Sequence, residues 1–132
     1  MKSTNYYNTF ITVSPDSDAT EGTVPEKEIT IAGLQYSLIN SAPYTLNSDD
    51  ILFKIHTEKN NLKNEDIDLN RDIFFSKPKA CLRTSPLVKK FGWGLHYDEN
   101  GMIAIYGVET EKYKKMTCRK DLKIIPGMRS RK

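Results

Sequence analysis

The chain has no apolar run of 18 residues, so its sequence offers no helix able to span a bilayer. Its opening, MKSTNYYNTFITV, carries one lysine but no apolar stretch that could form a signal-peptide core, and a cytoplasmic location is expected. Cysteine and histidine are scarce: Cys81, Cys118, His56 and His96 are all there are. Neither cysteine belongs to a CxxC, and the histidines are not at metal-ligand spacing, so no metal is expected. A reducing cytosol argues against a disulfide, and two buried thiols acting as small hydrophobes are expected instead. There is no HExxH, phosphate-binding glycine loop or nucleophile elbow, and Gly92-Trp93-Gly94 is no substitute for one. No cofactor is therefore expected.

What remains is enough for a fold. At 132 residues, with 38% apolar and 28% charged side chains, the chain fits one domain with a single core, residues 1–132. Residues 1–75 hold 6 basic and 12 acidic side chains, whereas residues 76–132 hold 14 basic and 5 acidic ones. Such asymmetry either marks a basic face for anionic partners or is neutralised where the two halves pack together. The neutralised arrangement is the expectation, because a single domain interleaves its halves.

Aromatic and β-branched residues from Tyr6 to Val13 read as a strand. Residues 14–28, with five carboxylates between Asp16 and Glu28, read as a mobile acidic loop. Thr30 offers an N-cap for a helix whose inward stripe is Ile31, Leu34 and Leu38, ended by Pro43. Asn47 to Asp50 supply a second helix start. Residues 51–59 alternate well enough for a strand, but the start signal favours a helix. A short helix is expected before Pro78, a strand at ACLRTS and a helical turn opened by Pro86. Residues 109–121 read as a helix, DLKIIPGM as a last strand, and residues 129–132 as a basic tail.

Between them, residues 93–107 form a hairpin. A three-residue loop closed by Gly101 in the left-handed conformation pairs Tyr97 with Ile103, Leu95 with Ile105 and Trp93 with Gly107. A two-residue Asn-Gly loop would set His96 against Ile105 and mix the faces, so burial selects the first register. The fold class is then α+β, a mostly antiparallel sheet packed with three to four helices.

On the hairpin's other face lie Gly94, His96, Ala104 and Tyr106, small residues beside two polar rings. If ACLRTS pairs alongside as a strand, Cys81, Arg83 and Ser85 share that face. Arg83, Ser85, His96 and Tyr106 would then surround a concavity for a small polar or anionic ligand. The competing reading seals these groups beneath a helix. A Cys81/His96 nucleophile–base dyad would need thiol and imidazole within hydrogen-bond reach. Single-stranded nucleic acid is a further alternative, resting on Lys77, Lys79, Arg83, Lys89, Lys90, Arg119, Lys120, Arg129, Arg131 and Lys132 with Phe91, Trp93 and Tyr97. Against it, Trp93 and Tyr97 fall on the core face, and no helix-turn-helix or RNP pattern is present. No membrane partner is expected, and oligomeric state is not legible.

From Phe74 to His96 the pattern FFSK-x-x-x-CLR-x-SPL-x-K-x-FGWG-x-H, with TNYYNTFITV, LQYSLI, PYTLNSDDILF and the closing MRSRK, resembles a family of small bacterial proteins known only as a domain of unknown function. The resemblance implies one compact cytoplasmic bacterial domain and transfers no functional residue. The expectation is thus a soluble bacterial protein that binds or interacts rather than catalyses.

Overall fold

The computed structural model describes residues 3–27, 29–60 and 67–130. In chain order the elements are β1 (Thr9–Thr12), α1 (Ile31–Ser41), α2 (Ser48–Lys59), α3 (Ile67–Phe74), a 3-10 turn (Leu82–Thr84), α4 (Pro86–Lys89), β2 (Trp93–Tyr97), β3 (Ile103–Gly107), α5 (Glu111–Thr117) and β4 (Lys123–Pro126). The sheet order is β3-β2-β1-β4. β2 runs antiparallel to both β3 and β1, while β1 and β4 are parallel, so this α+β sheet is mixed. The described residues form five helices rather than three to four. No described helix is long and apolar enough to cross a membrane.

The hairpin has the expected register, with Trp93 opposite Gly107, Leu95 opposite Ile105 and Tyr97 opposite Ile103. Its turn is held by the Asp98 carboxylate, which accepts from the amides of Asn100 and Met102, both at 2.9 Å. Gly101 closes it at φ +82°, a backbone region costly for any residue with a Cβ.

Both expected helix starts are present. The Thr30 side chain accepts from the Gly33 amide, and Asn47 and Asp50 form a reciprocal capping box. That start signal decides residues 51–59 in favour of helix. Beside it, the buried Asp49 carboxylate accepts from the Thr4 amide (2.8 Å), the Thr4 hydroxyl (2.7 Å) and the Ser3 hydroxyl (2.9 Å), tying the N-terminal segment to α2.

The larger core lies on one sheet face, where Ile11, Leu95, Tyr97, Ile103 and Ile105 meet Ile39, Ile51, Ile55, Leu82, Leu87 and Val88. α1 is turned about one residue from the expected stripe. Ala32, Gly33, Gln35 and Ile39 are buried, Leu34 and Leu38 only partly, and Ile31 is 50% exposed. The reason is a polar contact that hydropathy cannot register: the Ser85 hydroxyl donates to Gln35 Oε1 at 2.5 Å, both residues being buried.

ACLRTS is not a strand. Ser85 caps α4 through the Leu87 amide, and a 3-10 turn carries Leu82 into the core beneath that cap. Nor are both thiols buried: Cys81 is half-buried and Cys118 exposed. The acidic segment is irregular and is tied to the body by the Thr23 amide on Phe91 O and by Trp93 Nε1–H donating to Thr23 O (2.8 Å). Trp93 is accordingly half-buried at the edge of the core. Arg131 and Lys132 of the basic tail lie outside the described residues.

The orientation of α1 is open to test. Ile39→Ala should cost about 3 kcal/mol of unfolding free energy, while Ile31→Ala should stay within about 0.5 kcal/mol of the parent. Equal losses in urea denaturation would contradict the helix placement.

Candidate functional site

The second face of the sheet is smaller, and two different elements close it. At one end α5 lays Tyr113 edge-on against Phe10, ring centroids 5.1 Å apart, and the Tyr113 hydroxyl accepts from the Val13 amide. Gly94 lies directly beneath: a Cβ there would sit 2.5 Å from Phe10 and 2.7 Å from Tyr113. That glycine is required for the helix to approach.

At the other end are His96, Ala104 and Tyr106, and here the cover is one side chain from another element. After α1 the chain runs along the free edge of β3. The Tyr44 amide donates to Ile103 O, and the Ile103 amide to Leu46 O, so the edge is paired rather than open. Tyr44 makes this turn at φ +60°, a conformation that costs a bulky residue of order 1 kcal/mol. Its ring meets His96 edge-on, and its hydroxyl lies 2.8 Å from His96 Nδ1 and 2.6 Å from the Tyr106 hydroxyl. Ala104, opposite His96 across the hairpin, leaves room for that ring.

The result is a relay, Tyr106–Tyr44–His96. Its protons have two consistent arrangements. In one, Tyr106 donates to Tyr44 and Tyr44 to Nδ1, which puts the imidazole proton on Nε2. In the other, Nδ1–H donates to Tyr44, and Nε2 offers a lone pair. Either way Nε2 is the open end. It is buried and has no hydrogen-bond partner among the described residues, although His96 as a whole is only 7% exposed. Burial, and then the nearby Arg119 cation, hold the imidazole below its ordinary pKa; Asp98 and Asp121 oppose this more weakly. Tyr44 is pushed well above the ordinary phenol range by burial and by its bond to Tyr106. Both groups are neutral at neutral pH. Arg119 is exposed and forks onto Asp121, so an ion pair lies at the rim of the relay.

The expected site is therefore divided. His96 and Tyr106 come together, but through Tyr44, which no local signal in the sequence marked. Ser85 is buried on the opposite face against Gln35. Arg83 donates through Nε to Pro126 O at 2.9 Å, beside the end of β4. Cys81 shares that region, its sulfur 3.2 Å from the Tyr6 hydroxyl, and Tyr6 packs edge-on against Tyr97. Tyr97 and His96 alternate along β2, so thiol and imidazole lie on opposite sides of the sheet. Among the described residues no group of three or more His, Cys, Asp or Glu side chains is placed to hold a metal. Tyr97 is fully buried, which removes it from any base-stacking surface.

Fold and site together define a one-domain α+β protein with a mixed four-stranded sheet and a polar relay beneath its smaller layer. A family model matches residues 1–132, and the chain belongs to that family, described as a family of unknown function (DUF6157). No curated protein and no solved structure matches the chain.

The depressed imidazole has a thermodynamic consequence. In the unfolded chain His96 protonates near its ordinary value of about 6.5, but in the folded protein only at lower pH. Its contribution to stability is present above about pH 6.5 and is lost as pH falls through the folded-state value. His96→Gln should flatten the fall in urea midpoint below that pH; an unchanged slope would contradict the burial argument. Tyr44→Phe should cost about 1–2 kcal/mol at neutral pH by leaving Nδ1 and the Tyr106 hydroxyl unpaired.

Proposed function

We propose that the protein is a non-catalytic binding domain for a small polar or anionic ligand, and that the open end of the Tyr106–Tyr44–His96 relay recognises it. The observation that carries this reading is the buried Nε2 without a partner. A buried polar atom left unpaired costs about 1–3 kcal/mol, and a hydrocarbon ring in its place would avoid that cost. With Nε2 protonated, the relay presents a neutral donor, to which an anionic or carbonyl oxygen is the natural acceptor. Arg119 supplies the charge. Its guanidinium already holds a carboxylate, that of Asp121, in the forked geometry that an external carboxylate or phosphate would adopt. Exchange of ligand for Asp121 would keep the pair intact and bring an acceptor toward the imidazole. Arg83 and Ser85 are left out of this site, since each is engaged elsewhere.

A bacterial cytoplasmic setting belongs to the same reading. The two cysteines are free, and Cys118 is exposed, which suits a reducing compartment.

The test is thermal stabilisation by a panel of small carboxylates and phosphate esters, read beside the His96 imidazole resonances in NMR. A ligand of this site should raise the midpoint of the parent and shift the Nε2 resonance. Arg119→Gln, an exposed substitution, should remove both effects without changing the ligand-free midpoint. Stabilisation that persists in Arg119→Gln, or that leaves the imidazole resonances unmoved, would place the ligand elsewhere.

A further inference from the structure

Between α2 and α3 lies a cleft whose lining includes no residue of the relay. The C-terminal turn of α2 supplies His56 and Asn60, four residues apart, with the Asn60 amide nitrogen 3.2 Å from His56 Nδ1 and donating to His56 O. α3 supplies Asn70 and Phe74 at the same spacing, and the turn after it supplies Lys77 and Lys79. These six line a cleft of about 410 Å³, within the size range of small-molecule sites. Its wall is built by stacking. The His56 and Phe74 rings are 4.4 Å apart at a tilt of 36°, and the Lys79 ammonium lies 4.4 Å from the Phe74 centroid. Behind them Arg71 packs against Phe53 and Phe75 and pairs with Asp50, which fixes α3 on α2.

The electrostatics separate this cleft from three others. Between α1 and α2, Lys54 is matched by Glu58; near residue 25, Lys27 by Glu26; and beside α4, Lys89 and Lys90 by Asp16 and Asp18. The α2–α3 cleft has two lysines and a histidine, and no carboxylate among its described lining residues. Two helix C-termini converge nearby, and each contributes about half a negative charge. Among the described lining residues, the two ammonium groups exceed that sum.

We infer that the α2–α3 cleft binds a mononucleotide, its phosphate on Lys77 and Lys79 and its base against the His56–Phe74 wall, with the Asn70 carboxamide and the Asn60 carboxamide oxygen as the groups for base edges, the Asn60 nitrogen being engaged by His56. A planar ring bearing a phosphate answers both halves of the lining. Cations alone would suit any anion, and the stacked rings and carboxamides supply the added selectivity.

The experiment is calorimetric titration of the full chain with AMP, adenosine and inorganic phosphate at low salt. AMP should bind saturably, and adenosine and phosphate each more weakly. The double variant Lys77→Gln/Lys79→Gln should lose about tenfold or more in AMP affinity, and His56→Ala should narrow the gap between AMP and phosphate. Absence of saturable AMP binding, or AMP binding indifferent to these substitutions, overturns the inference. Phosphate binding as tight as AMP overturns the base contact, and binding of a thymidine oligonucleotide without AMP binding replaces a mononucleotide with a strand. Arg119→Gln should leave AMP affinity unchanged, so this cleft and the relay site succeed or fail separately.

Discussion

The alternation of side chains along β2 is the constraint on which the rest of the structure depends. Leu95 and Tyr97 point into the larger core, so Gly94 and His96 must point the other way. A slip of one residue would bury the imidazole among isoleucines and expose two large apolar side chains. The Asp98 carboxylate and the positive φ of Gly101 prevent that slip, because together they admit one loop length. From this register follows the asymmetry of the two layers. One face is mainly hydrophobic and takes α1, α2, α4 and the 3-10 turn; the other begins with a glycine that admits a ring and continues with an imidazole that needs a hydrogen bond. α5, with seven residues, spans only about 10 Å. The uncovered corner is closed from the sheet edge instead, by a tyrosine held in an unfavourable backbone conformation.

What was legible in the sequence was local. The hairpin register, the caps at Thr30 and Asn47, and the turn opened by Pro86 each depend on residues within a few positions of one another. What was not legible depends on long-range partners. Gln35 is buried because Ser85, 50 positions later, gives it a hydrogen bond, and that pair turns α1 away from its apparent apolar stripe. ACLRTS alternates like a strand, yet its residues serve the cap of α4 and the filling of the core by Leu82. Tyr44 lies 52 positions from His96 and follows a proline at a helix end, a context that reads as loop. Half of the expected site came together because His96 and Tyr106 share the hairpin. The other half did not, because its place rested on a strand that does not exist.

Charge follows the same division. The described ion pairs are Arg71–Asp50, Lys114–Glu111 and Arg119–Asp121, and each lies within one half of the chain. None of them joins the acidic first half to the basic second half. Charges of the two halves do meet across one cleft, where Lys89 and Lys90 face Asp16 and Asp18. Around Lys77 and Lys79, no carboxylate stands among the described lining residues of the α2–α3 cleft.

These two features bear on function in different ways. Surface lysines cost little to keep, so a positive cleft acquires meaning only from the stacked rings and carboxamides beside it. The relay is different, because a buried histidine, two tyrosine hydroxyls and a strained tyrosine backbone are all costs that an apolar corner would avoid. Pairing Nδ1 recovers part of that cost, and the strained turn is compensated by the hydrogen bonds it makes along the edge of β3. Nothing within the described fold recovers the cost at Nε2. Other packing can carry that cost, or a bound water or ligand can complete the atom. The ligand case ties stability to occupancy, since a ligand that binds only the folded chain stabilises it in proportion to the logarithm of its concentration.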